Sequence, residues 1–122
     1  MRRSREYVDQ LGDRLYRSRR QRIERRVEEL LKDPYAAAGA ERLRYRYWGL
    51  RSARVLDDVR LIYRVCAECR AEEMRQPKVG APARGEFTLD CCADGHTVDD
   101  TVNILCLSQH YVDIPSGFDF HA

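Results

Sequence analysis

The chain has 122 residues and a mass of 14.3 kDa, which is the size of a single domain. Apolar residues make up 43% of it and charged residues 34%, a globular composition with a high charge content. No apolar run exceeds about five residues, whereas a bilayer-spanning helix needs roughly 20. The basic start is not followed by the apolar stretch of a signal peptide. We therefore expect a cytoplasmic protein with no membrane partner, and membrane, secreted and fibrous classes are excluded.

The basic residues are concentrated in the first half of the chain. Residues 1–60 hold 17 Arg or Lys against 10 Asp or Glu, while residues 61–122 hold 5 against 10. All but Lys32 and Lys78 are arginines. A guanidinium group grips phosphate with a planar fork and keeps its proton, so this content is typical of phosphate recognition. A GC-rich genome produces the same bias, and composition alone does not decide the function.

The first third of the chain predicts two helices in a hairpin, within residues 3–33. Apolar side chains recur at helical spacing on one face of each helix. These side chains are Tyr7, Leu11 and Leu15, then Ile23, Val27, Leu30 and Leu31. The break between the helices falls between residues 12 and 18. The second helix ends at Asp33–Pro34, because the residue before a proline is pushed out of the helical region.

After residue 42 the apolar period changes to that of β-strands. Strands are predicted at residues 43–48, 53–56, 59–65 and 102–108, with a turn at residues 57–58. Alternation in the third strand places Leu61, Tyr63 and Val65 on one face and the arginines at positions 60 and 64 on the other. The last strand is apolar enough to be central.

A polar and acidic segment, residues 67–100, separates the last two strands and is predicted to be an inserted hairpin that contains cysteines. Short neighbouring strands with tight turns pair antiparallel. The sequence therefore predicts an α+β domain over residues 1–122, in which a helical hairpin packs on a mainly antiparallel four-stranded sheet. Residues 112–122 form a C-terminal tail.

The five cysteines raise a separate question about metal binding. Cys66 and Cys69 end the third strand, and Cys92 and His96 come just before the fourth. These two ends must meet when the insertion folds back, so the four side chains have the composition of a structural zinc site. Reduced thiols without metal, or a redox pair, are the alternatives, because the second half is not a standard knuckle. Cys106 is expected in the core of the last strand.

Five segments in this order resemble the RelE/ParE superfamily of toxins from type II toxin–antitoxin systems. They are residues 30–34 (LLKDP), 41–44 (ERLR), 49–55 (GLRSARV), 57–65 (DDVRLIYRV) and 108–111 (SQHY). The combination of Ser-x-Arg-Val, two acids and x-Arg-Leu-Ile-Tyr is the specific part. Within the superfamily the chain looks most like the RelE/YoeB branch of mRNA interferases.

The chain differs from that family at both ends. The family usually begins with a β-strand before the first helix, whereas we expect this chain to begin in the helix. In the closest branch the His-Tyr pair lies at or near the C-terminus, but eleven residues follow Tyr111 here.

The resemblance implies a ribosome-dependent endoribonuclease that cuts mRNA in the ribosomal A site without a catalytic metal or other cofactor. In such a reaction the 2′-OH attacks the adjacent phosphate, which requires a base, a cation and an acid. By position, Glu41 corresponds to the general base and Arg60 to the arginine on the scissile phosphate. His110 corresponds to the general acid, and Tyr111 to a tyrosine that stacks on or orients the substrate.

The resemblance also implies further RNA contacts and protein partners. Arg44, Arg46 and Arg54 are expected to bind RNA phosphates. A cognate antitoxin is expected to neutralise the toxin by covering the basic groove formed by the sheet and the helices.

Each site residue has a simpler interpretation. Glu41 can be a solvated carboxylate, and His110 a surface histidine. Arg54 and Arg60 can pair with the acidic turn at residues 57–58. Two other functions also remain open: a ParE-like inhibitor that binds DNA gyrase without nuclease chemistry, and an inactive relative that serves as an interaction module.

Overall fold

The computed structural model describes residues 1–35, 40–43, 50–68 and 101–109 of the protein. Its elements are β1 (Arg2–Arg3), α1 (Arg5–Leu11), a 3₁₀ turn (Arg17–Arg19), α2 (Arg20–Leu30), β2 (Glu41–Arg42), β3 (Arg51–Leu56), β4 (Val59–Val65) and β5 (Val102–Ser108). The predicted α+β class and the N-terminal pair of helices are confirmed.

The strands form one sheet in the order β1-β5-β4-β3-β2. Strand β1 runs parallel to β5, and every other pairing is antiparallel. The described part of the chain therefore contains a five-stranded mixed sheet rather than the predicted four-stranded one. The expectation that the chain begins directly in a helix was wrong, because Arg2–Arg3 already forms a strand. Two residues are too few to show an alternating pattern, so pairing with β5 determines this strand.

The junction between β1 and α1 extends the hydrogen bonding along the edge of β5. The Ser4 backbone amide donates to the Ile104 carbonyl at 2.9 Å, and the Ser4 hydroxyl donates to the Leu105 carbonyl. The same hydroxyl accepts from the Tyr7 amide at 3.0 Å and so caps the N-terminus of α1. Ser4 therefore joins the first helix to the sheet.

Farther along the same edge, the Gln10 side chain takes the place of a neighbouring strand. Its amide nitrogen donates to the Leu107 carbonyl at 2.9 Å, and its amide oxygen accepts from the Leu107 nitrogen at 2.7 Å. Buried backbone groups need such partners. Helix α1 is thus attached to β5 by hydrogen bonds as well as by apolar packing.

The hydrophobic core lies between the two helices and one face of the sheet. The helices contribute Tyr7, Leu11, Ile23, Val27 and Leu30, and the strands contribute Ala53, Val55, Val59, Leu61, Tyr63, Val65, Val102, Ile104 and Leu107. The predicted apolar face of β4 is therefore confirmed. Burial of a side chain of this size stabilises a protein by about 1.5–3 kcal/mol, so these layers carry most of the stability.

The bounds predicted for the last two strands are the observed ones, residues 59–65 and 102–108. Strand β3 begins at Arg51, two residues before its predicted start. Of the strand predicted at residues 43–48, positions 44–48 lie outside the described residues, and the observed strand next to β3 is Glu41–Arg42. Most of the predicted insertion and the whole tail also lie outside them.

The two residues that flank the predicted insertion lie next to each other. The Cys66 backbone amide donates to the Thr101 carbonyl at 2.9 Å, so the two ends of the insertion are neighbours.

A β-bulge changes which residues of β5 face the helices. The register with β4 shifts between the Ile62–Cys106 and Tyr63–Ile104 pairs, which leaves Leu105 as the extra residue. Ile104 and Leu107 therefore both belong to the core between sheet and helices. Cys106 is buried as predicted, but it pairs with Ile62 on the opposite face of the sheet.

None of the described helices has the length and apolar content needed to cross a bilayer.

Two buried tyrosine hydroxyls connect the core to its surroundings. The Tyr7 hydroxyl donates to Glu24 Oε1 at 3.0 Å, and the Tyr63 hydroxyl donates to the Pro34 carbonyl. Burial is the main cause that raises the pKa of both phenols, and it raises the pKa of Tyr63 to about 12. The folded protein therefore keeps these protons at a pH where the unfolded chain loses them.

This difference predicts alkaline destabilisation. The tyrosine contribution to stability is complete below the ordinary pKa of 10.0 and is lost as the pH rises towards about 12. Each such tyrosine lowers the free energy of unfolding by about 1.4 kcal/mol per pH unit in that window. Urea unfolding from pH 8 to pH 12 should therefore show a shallower decline for Tyr63→Phe than for the wild type. Equal slopes would contradict the assignment, and the pH 8 values isolate the loss of the hydrogen bond to Pro34.

A buried ion pair fastens the end of β4 to the start of β3. Arg51 binds Glu68 in a bidentate manner, with Nε to Oε1 at 3.0 Å and Nη2 to Oε2 at 2.6 Å. The side chains are only 12% and 13% exposed. The hydrogen bond to Glu68 is the main cause that raises the pKa of Arg51. Arg51 also lies over the Tyr35 ring, 5.0 Å from its centroid.

Loss of this pair should destabilise the protein. Glu68→Gln removes the charge opposite Arg51, and we expect a loss of about 2 kcal/mol in the free energy of unfolding. The matched control is Glu29→Gln, which breaks the exposed pair between Arg26 and Glu29 and should cost less than about 1 kcal/mol. Urea denaturation of both variants tests this. Equal losses would show that burial does not distinguish the two pairs.

Candidate functional site

The candidate site lies on the face of the sheet that points away from α1 and α2. Glu41 pairs in register with Ser52, and Arg54 pairs with Arg60. Directly opposed residues of an antiparallel pair share a face. Positions 52 and 54 alternate with the core residues of β3, as position 60 does with those of β4. The strand pairing therefore places all four residues on this one face.

The structure brings together the predicted general base and the predicted phosphate-binding arginine. Arg60 Nε donates to the Ser52 hydroxyl at 2.5 Å, and Arg60 Nη2 lies 3.6 Å from Glu41 Oε1. Ser52 is fully buried, whereas the side chains of Arg60 and Glu41 are 24% and 56% exposed. A buried hydroxyl thus orients a partly exposed guanidinium group beside an accessible carboxylate.

The Glu41 carboxylate is solvated, as the simpler interpretation expected, and it also lies within ion-pair distance of Arg60. An ion pair at 3.6 Å is longer than a hydrogen bond, and its strength is reduced by the surrounding water. The pair therefore contributes little to stability. Its main effect is to place opposite charges next to each other at an accessible point.

In the simpler interpretation, Arg54 and Arg60 pair with the acidic turn at residues 57–58. In the structure, Asp58 of this turn binds Arg19. Asp58 Oδ1 accepts from Arg19 Nη1 at 2.8 Å, and Asp58 Oδ2 lies 3.4 Å from Gln109 Nε2. The hydrogen bond from Arg19 is the main cause that lowers the pKa of the Asp58 carboxyl. Asp58 thus connects the β3–β4 turn to the helices.

Four of the predicted RNA-site residues lie outside the described residues: Arg44, Arg46, His110 and Tyr111. Strand β5 ends at Ser108, which is the register partner of Arg60. His110 follows that position by two residues in the sequence. Its predicted role, and that of Tyr111, stay predictions.

Of the four predicted zinc ligands, Cys66 is described. It is buried, and its sulfur accepts a hydrogen bond from Asn103 Nδ2 at 3.1 Å. Cys69, Cys92 and His96 lie outside the described residues. Within residues 1–35, 40–43, 50–68 and 101–109, no three His, Cys, Asp or Glu side chains form a metal-binding group. The zinc site therefore also stays a prediction.

An arginine-lined groove lies between α2 and the end of β3. The sequence analysis expected a basic groove formed by the sheet and the helices, but it did not name the arginines of α2 that line this one. It has a volume of about 510 Å³. Its lining residues are Arg22, Arg25, Arg26 and Glu29 from α2, with Arg54, Val55, Leu56 and Asp57 from the end of β3 and the turn. The helical residues are spaced three, one and three apart, so the stripe they form on one face of α2 is visible in the sequence. Its position beside Arg54 depends on the fold.

Comparisons with known proteins assign no family. No protein-family model matches the chain, and no curated protein matches it. The case for a function therefore depends on the residues and their geometry.

Proposed function

We propose that this protein is the toxin of a type II toxin–antitoxin system, a RelE-like endoribonuclease that cleaves mRNA on the ribosome. The observation that carries the proposal is the arrangement of Ser52, Arg60 and Glu41 on one face of the sheet, with the Glu41 carboxylate exposed. The motif that includes Arg60 supports it from the sequence. Metal-independent RNA cleavage needs a base for the 2′-OH and a cation for the phosphate, and a carboxylate and a guanidinium group can fill these two roles.

Glu41 is proposed as the general base. Its exposed carboxylate takes the proton of the ribose 2′-OH, the O2′–P bond forms, and the P–O5′ bond breaks. The products are a 2′,3′-cyclic phosphate and a 5′-hydroxyl, so no water or metal ion enters this step. An accessible carboxylate is required here because the nucleophile belongs to the substrate.

Arg60 is proposed to hold the scissile phosphate. Charge builds up on the phosphate oxygens in the transition state, and a fixed cation stabilises that charge most when it need not reorganise. The hydrogen bond to Ser52 supplies this fixation, because it restrains Nε while Nη2 lies beside the Glu41 carboxylate.

His110 and Tyr111 complete the proposed site. The imidazole protonates the leaving 5′-oxygen, a role suited to a group that titrates near neutral pH. The tyrosine stacks on or orients the substrate. Arg44, Arg46 and Arg54 are proposed to contact RNA phosphates, and an antitoxin to neutralise the toxin. If zinc is present at Cys66, Cys69, Cys92 and His96, its role is structural.

Cleavage in a reconstituted translation reaction tests the proposal. The wild type should cut mRNA within the A-site codon when ribosomes are present, and Arg60→Ala and Glu41→Gln should each reduce the rate by about 100-fold or more. Arg14→Ala and Asp9→Asn are matched controls at exposed positions and should cut normally. No cleavage by the folded wild type would contradict the proposal, and a gyrase supercoiling assay would then test the ParE-like alternative.

Ser52 is a positioning residue in this proposal, and a separate variant tests that role. Ser52→Ala removes the acceptor for Arg60 Nε, so we expect the cleavage rate constant to fall about tenfold, on the scale of one lost hydrogen bond. Ser52→Thr keeps a hydroxyl and should restore most of the rate. Urea unfolding monitors stability in parallel. If the alanine and threonine variants cleave at equal rates, the hydroxyl does not position Arg60.

A further inference from the structure

The arginine-lined groove contains cations that have no carboxylate partner among residues 1–35, 40–43, 50–68 and 101–109. Its lining includes four arginines, Arg22, Arg25, Arg26 and Arg54, and two acidic residues, Glu29 and Asp57. Glu29 forms an ion pair with Arg26 at 3.3 Å. Among the residues that the structure describes, neither Arg22, Arg25 nor Arg54 has an acidic partner.

This arrangement differs from that of two arginines elsewhere in the protein that bind a carboxylate. Arg51 is bound to Glu68, and Arg19 is bound to Asp58. An arginine that stabilises the fold therefore has a nearby carboxylate in these cases. Three arginines that converge on one groove without such partners repel each other, and an anionic ligand removes that repulsion.

The chemistry of the groove favours phosphate over an acidic protein segment. A protein interface normally needs a buried apolar or aromatic anchor at its centre. Here Val55 is only 4% exposed, which leaves half-buried Leu56 as the groove's apolar contact. Guanidinium groups bind phosphate oxygens through paired hydrogen bonds and need no apolar anchor.

Arg54 connects the groove with the candidate site. It is one of the residues that line the groove, and it is the register partner of Arg60 in the β3–β4 pair. Because the candidate site faces away from α2, an RNA strand bound at both places passes from one face of the sheet to the other near Arg54.

We infer that the groove between α2 and β3 binds the phosphate backbone of the mRNA strand beside the cleaved bond, with Arg22 and Arg25 as its main contacts. The inference rests on the proposed function, because it extends the same RNA site. The lining residues named above include no aromatic side chain on which a base can stack, so these contacts are independent of base sequence.

The salt dependence of RNA binding tests the inference directly. The probe is a single-stranded RNA of about 12 nucleotides, a typical length for a single-strand site. Its riboses carry 2′-O-methyl groups, so that the nucleophile is blocked and binding is measured without cleavage. Fluorescence anisotropy then gives the dissociation constant at several salt concentrations. The logarithm of the association constant falls with the logarithm of salt concentration by about 0.7 for each phosphate contact on a single strand.

The variant Arg22→Gln/Arg25→Gln should bind more weakly and lower that slope by about 1.4, because two phosphate contacts are lost. Glutamine keeps the helical propensity of α2, so folding should be retained. The matched control is Arg14→Gln/Arg17→Gln, which removes the same charge from exposed positions that do not line the groove. An unchanged slope in the groove variant, or an equal decrease in both variants, would overturn the inference.

Two further measurements separate the alternatives. A poly-glutamate peptide of equal charge that binds the wild type more tightly than the RNA, and loses that affinity in the groove variant, would assign the groove to a protein segment instead. Cleavage by the wild type tests the proposed function independently. If the wild type cleaves mRNA but the groove variant shows no change in slope, the inference about the groove fails and the proposed function stands. If the groove variant changes the slope but the wild type does not cleave, the nuclease function fails and the phosphate-binding groove stands.

Discussion

The alternation of side chains along β4 is the constraint on which the rest of the structure depends. This strand has β3 on one side and β5 on the other, so its backbone is hydrogen-bonded on both edges and cannot slip by one residue without reversing its faces. Leu61, Tyr63 and Val65 consequently face the helices. Arg60 must then point to the opposite face, where Ser52 and Glu41 are brought to it by their own register. The apolar core and the candidate site are two results of one alternation.

The outer edge of β5 shows how few residues are needed to supply hydrogen-bond partners for the backbone of a buried strand. Backbone pairing by Arg2–Arg3, the Ser4 hydroxyl and the Gln10 amide supply successive partners for residues 103–107. Unpaired backbone groups at a buried edge would cost free energy, and an open edge invites pairing with other chains. The bulge at Leu105 belongs to this region, since the change of face lets Ile104 and Leu107 both pack against the helices.

The predictions that were confirmed and those that failed differ in where their information lies. Strands β4 and β5 were placed correctly because the alternating apolar pattern of β4 and the apolar run of β5 are local signals. Strand β1 was missed because two arginines carry no period and are ordered only by β5. The ion pair of Glu41 with Arg60 could be expected only from a resemblance, since 19 residues separate them. The fold brings them together through the pairing of Glu41 with Ser52 and the hydrogen bond from Arg60 to Ser52. The groove beside α2 depends on helix–strand packing, which no local pattern encodes.

The arginines of this protein have different roles because their burial and their partners differ. Arg51 is almost enclosed and bidentate with Glu68, so its charge is used to hold two strand ends together. Arg60 is partly exposed, donates a hydrogen bond to a neutral hydroxyl and lies beside the Glu41 carboxylate. Arg22 is exposed on α2 and lines a groove with other cations. A codon bias can account for the number of arginines, but it does not predict which of them bind a carboxylate, which bind a hydroxyl and which line the groove. That difference follows from the fold, because burial and strand register decide which arginines meet a carboxylate.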